Sequence, residues 1–214
     1  FFMGAEITLS MGGNSDQNTG ARWRNMRVTW NCATEIGEAR PTLRRLGWGI
    51  DAQDWEGGLI AGNLFFKYGN TEVNQVTGIS VMGHCSDIDV AGNTVYKIGA
   101  PDGSNANSYQ ALGTAAHGGE MTNILFSHNI IQLPDTDLQV VGRHESLSGV
   151  TFDKNKYYSM IDSEWFEYDN VKINMASWVS NTGDTSTAET VAFFDPSRTA
   201  LTYLDSIGET PTRE

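Results

Sequence analysis

Three of the four histidines in the 214-residue chain, His84, His117 and His144, close short apolar stretches of similar pattern, TGISVMGH, QALGTAAH and DLQVVGRH. Aligned with them, GWGIDAQD ends in Asp54. If these stretches are strands stacked in register, the three imidazoles and one carboxylate form a column. Neutral imidazoles one strand apart can serve as general acids or bases near neutral pH, and a neighbouring carboxylate would orient one and raise its basicity. Arg143, beside His144, could hold an oxyanion or a sugar carboxylate. The same residues could also do no more than solvate a turn, with His packed on His. Metal binding is the weakest chemistry for the set, because a straight column spreads its ligands along an axis instead of closing them around one point.

A second group of candidates lies in GIDAQDWEGG, where Asp51, Asp54 and Glu56 precede Asp87 and Asp89 one repeat later. Paired carboxylates are the machinery of glycoside hydrolysis. Trp48 and Trp55 flank them, and an exposed indole can stack on the apolar face of a sugar ring, whereas a buried one fills the core. Asp54 with Trp55 is the leading candidate for a glycan-contacting edge, and Trp55 is the alternative occupant of the Asp54 position in the column. Glu35, Lys67 and Lys97 form a further charged row, best read as a solvated face.

The elements that must position these groups are visible as a repeat. MRVTWN, GLIAGN, IDVAGN, ILFSHN and VTFDKN end at Asn31, Asn63, Asn93, Asn129 and Asn155, with spacings of 32, 30, 36 and 26. The residues five and three positions before each Asn (Met26 and Val28, Ile88 and Val90, Ile124 and Phe126, Val150 and Phe152) alternate with polar neighbours, the period of a half-buried strand. Gly58 breaks the pattern in the second copy. A coil of this size cannot bury its own apolar face, but stacked coils can. The sequence therefore predicts an all-β chain, a parallel β-helix of about five to six coils over residues 1–160, with a small irregular or helical cap over 161–214. The recurrent Asn is expected at a corner, in left-handed backbone geometry and hydrogen-bonded to its equivalents above and below.

Composition agrees. Twenty-three Gly against five Pro, and 39% apolar residues, suit many short strands joined by tight turns around one core. A net charge of -12 argues against a general nucleic-acid surface. It also disfavours anionic glycans at long range, although bound Ca²⁺ could reverse the field locally; no other cofactor is indicated. Cys32 and Cys85 fall at different points of the repeat and are expected as buried free thiols. No apolar run is long enough for a membrane span, and the opening FFMGAEITLS lacks a basic leader.

With its Asn-bearing corner, the stretch from about residue 20 to 160 resembles the pectate-lyase-like right-handed parallel β-helix family. RPTLRRLGWGIDAQDWEGGLIAGN, INMASWVSNTGD and FFDPSRTALTYLDSIG resemble a subset of secreted bacterial β-helix proteins. That subset usually runs on beyond the DPSRT motif and carries an N-terminal capping helix, so this chain is expected to be a C-terminal portion of a longer protein or to have other chains covering its open ends. The resemblance implies a secreted or extracellular protein that binds, and could cleave by lyase or hydrolase chemistry, a polysaccharide. A second reading is a non-catalytic structural subunit, as in a phage tailspike, a virion or a surface filament, and a third is a non-catalytic glycan-binding module. In the tail, VKINMASWVSNTG is expected to be helical around Trp178 and DPSRTALTYLDSIG to form a turn-helix-turn.

Overall fold

A computed structural model describes residues 2–3, 5–12, 22–37, 46–66, 75–98, 110–134, 138–145, 148–160 and 163–188. A short strand, β1 (Phe2–Met3), is followed by five triplets. The first is β2 (Ile7–Met11), β3 (Trp23–Thr29) and β4 (Cys32–Thr34); the second is β5 (Leu46–Gln53), β6 (Trp55–Ala61) and β7 (Leu64–Phe66). The third is β8 (Gln75–Met82), β9 (Cys85–Ala91) and β10 (Thr94–Tyr96); the fourth is β11 (Leu112–Ala115), β12 (Met121–Ser127) and β13 (Ile130–Leu133). The fifth is β14 (Val141–Arg143), β15 (Val150–Asp153) and β16 (Lys156–Ser159). Then come β17 (Phe166–Tyr168), β18 (Val171–Ile173), α1 (Met175–Thr182) and β19 (Thr187–Ala188).

Equivalent strands of successive triplets pair in parallel, building three sheets. We call them the front sheet (β2, β5, β8, β11, β14, β17, with β18 at its edge), the middle sheet (β3, β6, β9, β12, β15) and the back sheet (β1, β4, β7, β10, β13, β16, β19). The chain is thus a parallel β-solenoid. Its five middle strands are separated by about four full turns, slightly fewer than the repeat count suggests.

The core follows from the alternation. In the middle sheet Val28, Ile60, Val90, Phe126 and Phe152 stack in one inward column, and Ile88, Ile124 and Val150 in the next. In the front sheet Ile50, Ile79, Leu112, Val141 and Phe166 do the same. All of these are buried. Gly58 breaks the pattern for a steric reason, since a Cβ there would lie 3.0 Å from the Trp55 ring and 3.6 Å from Ile88. The Trp55 indole occupies the space that a side chain at position 58 would need. Cys32 and Cys85 are buried free thiols on different sheets.

The repeated Asn builds a continuous ladder. The Nδ2 of Asn31, Asn63, Asn93 and Asn129 donates to Oδ1 of the next Asn at 2.9–3.0 Å, and each backbone N donates to the same oxygen. From Asn63 onward, Nδ2 also donates to a carbonyl of the preceding coil, that of Val28, Ile60, Val90 or Phe126. The left-handed geometry expected at the Asn lies one residue earlier, at Trp30, Gly62, Gly92, His128 and Lys154, with φ between 51° and 67°. The bend is made by the preceding residue, and the Asn satisfies the buried backbone that the bend exposes.

Only two of those five corner positions carry glycine, which sets up a clean measurement. A Cβ at Gly92 would meet nothing within 4 Å, so Gly92→Ala isolates the cost of left-handed backbone and should destabilise by about 1 kcal/mol. His128 is exposed at the equivalent position with φ 54°, and His128→Gly should stabilise by a few tenths of a kcal/mol up to about 1. Urea midpoints for the two variants should move in opposite directions; movement of both in the same direction would contradict the assignment.

At the last coil, β17 and β18 form an antiparallel hairpin through Asp169 and Asn170, both at positive φ. VKI is therefore a strand, and the expected helix starts later, at Met175. Asn174 Oδ1 accepts from Ser177 N to cap it, and Gly183, left-handed, ends it. The helix buries Trp178 completely, stacked 5.0 Å from Phe166 and edge-on at 5.1 Å to Phe152. The DPSRT motif and Lys67 lie outside the described residues. No described helix is long and apolar enough to cross a membrane.

Candidate functional site

The outward row of the front sheet is where the sequence and the geometry meet. Asp51, Ser80, Gly113, Gly142 and Glu167 pair in register, between inward columns on either side, and so point outward. Three of the five are Gly or Ser, which makes a trough. Its floor is a pocket lined by Trp48, Asp51, Thr77, Ser80, Gln110 and His144, among others. The enclosed part is small, about 20 Å³, room for one water or one hydroxyl group.

Gln110 and Glu167 were not legible as site residues, because they lie 57 positions apart. Gln110 reaches over the floor: a Cβ at Gly142 would fall 2.1 Å from its side chain, so glycine at 142 is what admits it. Its Nε2 donates to Glu167 Oε1 at 3.2 Å. The same oxygen lies 3.0 Å from His144 Nδ1, and Asn170 Oδ1 lies 3.2 Å from that nitrogen. Asn170 Nδ2 donates to the His144 carbonyl, which fixes the orientation of the amide. Facing two oxygens, Nδ1 carries a proton. The bond to Glu167 holds the His144 pKa above its ordinary value, against partial burial. Nε2 is left as the working nitrogen, an acceptor in the neutral ring and a donor in the charged one.

Asp51 is 1% exposed and accepts from Ser80 Oγ (2.7 Å), Gln53 Nε2 (2.9 Å) and Ser10 Oγ (3.1 Å). Burial raises its pKa, with these three bonds opposing the shift. Arg143 alternates with its neighbours Gly142 and His144, so its side chain leaves the outer face; its guanidinium lies 5.4 Å from the Tyr168 ring. Burial lowers its pKa.

Several pocket-lining residues carry buried side-chain atoms with no hydrogen-bond partner, among them Thr77 Oγ1, Gln110 Oε1, Thr114 Oγ1 and His144 Nε2. Such atoms are rare in a folded protein, and each costs about 1–3 kcal/mol unless a ligand or solvent group meets it.

The histidine column is not straight. Thr114 pairs with Arg143, which puts His144 level with Ala115, two positions short of His117. The corners that follow β5, β8, β11 and β14 contain one, two, five and six residues, and strand ends that match in sequence need not lie level in space. Asp54 and His84 do meet, with the His84 backbone N donating to Asp54 Oδ1 at 2.9 Å. The His84 ring accepts from Glu120 N and lines a separate, more open depression with Arg22, Glu56, Ser86 and Thr122. His117 is exposed on its corner at φ 48°.

Trp55, placed by the sequence at a glycan-contacting edge, is 0% exposed, and its Nε1 donates to the Met11 carbonyl at 2.8 Å. It is a core residue, paired with the gap at Gly58, and neither of its faces is open to a sugar. Glu56 is ion-paired with Arg24 and Asp87 accepts from Asn123 Nδ2, on the exposed side of the middle sheet. The Cys85 thiol, pushed up to about 11 mainly by burial, is not a nucleophile near neutral pH. Among the described residues no group of three or more His, Cys, Asp or Glu is placed to hold a metal ion. No family model matches the chain, and neither a curated protein nor a solved structure matches it.

Proposed function

We propose that this chain is a secreted β-helix protein that binds a polysaccharide along the outer trough of its front sheet. The observation that carries the reading is that Thr77 Oγ1, Gln110 Oε1 and His144 Nε2, buried and unpartnered, belong to residues lining one pocket together with the half-buried Trp48. Mixed donors and acceptors of this kind suit hydroxyl groups, which both donate and accept, and an indole edge suits the apolar face of a sugar ring. A parallel solenoid extends its outer face over several rungs, as an extended polymer requires. The resemblance of the Asn corner to pectate-lyase-like proteins points the same way.

The reading is of binding rather than cleavage. Asp51 and Glu167, the two carboxylates of the outward row, stand four rungs apart, about 19 Å, well beyond the roughly 5–9.5 Å that glycosidase carboxylates span. The structural-subunit reading has one observation of its own, a cavity at the first coil where Phe2, Leu9, Met11 and Met26 are joined by Thr8, Arg27 and Asn31, a surface of mixed polarity against which a neighbouring chain would pack.

The test is affinity electrophoresis and calorimetry of the purified chain against neutral and uronic-acid polysaccharides. At least one glycan should bind, and Trp48→Ala and His144→Ala should each weaken it about tenfold or more, with thermal midpoints close to that of the parent protein. Absence of binding to every glycan, or undiminished binding by both variants, would overturn the proposal.

A further inference from the structure

Resting on that reading, we infer that the trough selects neutral glycans over uronic-acid glycans, with Glu167 as the residue that enforces the choice. Charge at close range decides the choice. The titratable groups of the outward row and pocket are Asp51, Glu167 and His144, with Glu145 and His117 near enough to act on them electrostatically. Among the described residues no Lys or Arg lines the pocket.

His144 does not offer a free positive charge, because its Nδ1 is already held by Glu167 at 3.0 Å and the pair is neutral when the imidazole is protonated. Arg143, the nearest guanidinium in sequence, belongs to the opposite side of its strand and is engaged with Tyr168. A sugar carboxylate entering the trough would therefore lose water, find no cation among the described lining residues, and at the His144 end of the trough stand near Glu167. Desolvating an unpaired carboxylate beside like charges costs several kcal/mol. Uncharged hydroxyl groups in the pocket carry no such penalty and can bond to Thr77 Oγ1, Gln110 Oε1 or His144 Nε2. The net charge of -12 adds long-range repulsion of a polyuronate.

Bound Ca²⁺ is the one obvious way around the argument, so the experiment includes it. Calorimetric titration would compare a neutral polysaccharide with a polyuronate of similar length, each with and without Ca²⁺, for the parent chain and for Glu167→Gln. The parent should bind the neutral polymer at least about tenfold more tightly under both conditions. Glu167→Gln keeps an oxygen for His144 Nδ1 but removes the charge, and should narrow the gap between the two polymers about threefold or more by strengthening polyuronate binding. Polyuronate binding equal to or tighter than neutral binding, with or without Ca²⁺, overturns the selectivity while leaving glycan binding intact. A gap unaltered in Glu167→Gln overturns the role of that residue. Binding of neither polymer overturns both the selectivity and the function on which it rests.

Discussion

Asn93→Ala should unfold at a far lower urea concentration than the parent protein, a loss of about 3–4 kcal/mol, which is large for a residue with no apolar side chain. Asn93 is 0% exposed and sits in the middle of the ladder. Its Oδ1 accepts from both the backbone N and the Nδ2 of Asn63, and its Nδ2 donates to Asn129 Oδ1 and to the Ile60 carbonyl. Truncation strands Asn63 N without its acceptor and removes a donor from two buried oxygens. Each stranded group costs about 1–3 kcal/mol, so two or three such losses outweigh anything the variant gains in side-chain freedom. Asn31→Ala, at the half-buried first step, leaves Asn63 Oδ1 still bonded by the Asn31 backbone and should cost only about 1 kcal/mol. The isosteric Asn93→Asp is the sharper variant, because its second oxygen would face Asn129 Oδ1 and the Ile60 carbonyl at hydrogen-bond distance. It should destabilise at least as much as alanine. Equal midpoint shifts for Asn31→Ala and Asn93→Ala would show that the ladder does not carry the stability assigned to it.

The ladder was legible because one residue type recurs at one corner and its job is the same on every rung. The backbone strain beside it was not, since the residue that bends the chain is Trp, Gly, Gly, His and Lys in turn, and no composition signal marks the position. The inward columns of the middle sheet were legible from alternation alone, apart from the second coil, where an indole from three residues away fills the gap at Gly58. The same substitution of one residue's volume for another's turned Trp55 from a candidate sugar platform into core. The site was legible only in part. Trp48, Asp51 and His144 do share one pocket; of the histidine column, His84 and His117 each follow the Met82–Ala115 pair by two residues, whereas His144 is displaced by two positions, a shift in register that an alignment made on strand ends does not show. Glu167 and Gln110 could have been found only by continuing the front-sheet register through β17, a three-residue strand whose sequence FEY carries almost no periodic signal.

Asp184→Ala should loosen the whole C-terminal closure, at a cost of about 3–5 kcal/mol. Asp184 is 3% exposed and serves three donors at once. Its Oδ2 accepts from Tyr157 Oη at 3.0 Å and from Trp178 Nε1 at 2.8 Å, and its Oδ1 accepts from Ser186 N at 2.8 Å. Ser186 in turn accepts from Asn155 N through its Oγ at 2.8 Å, standing where a sixth Asn would continue the ladder. One carboxylate therefore couples the helix that covers the core, through Trp178, to the last rung of the ladder, through Ser186. Burial and the Asp184 charge both push the Tyr157 hydroxyl well above its ordinary pKa, so Tyr157 remains a donor across the accessible pH range. Asparagine cannot replace the carboxylate. With its oxygen toward Ser186, its NH₂ group faces Trp178 Nε1, and an indole can only donate; flipped, the clash moves to the Ser186 amide. Asp184→Asn should therefore lose at least about 2 kcal/mol, with Trp178 fluorescence shifting toward that of a solvated indole before the rest of the solenoid melts. An Asp184→Asn variant within about 0.5 kcal/mol of the parent, with unchanged Trp178 emission, would mean that aromatic packing among Phe152, Phe166 and Trp178 closes the stack without the buried carboxylate.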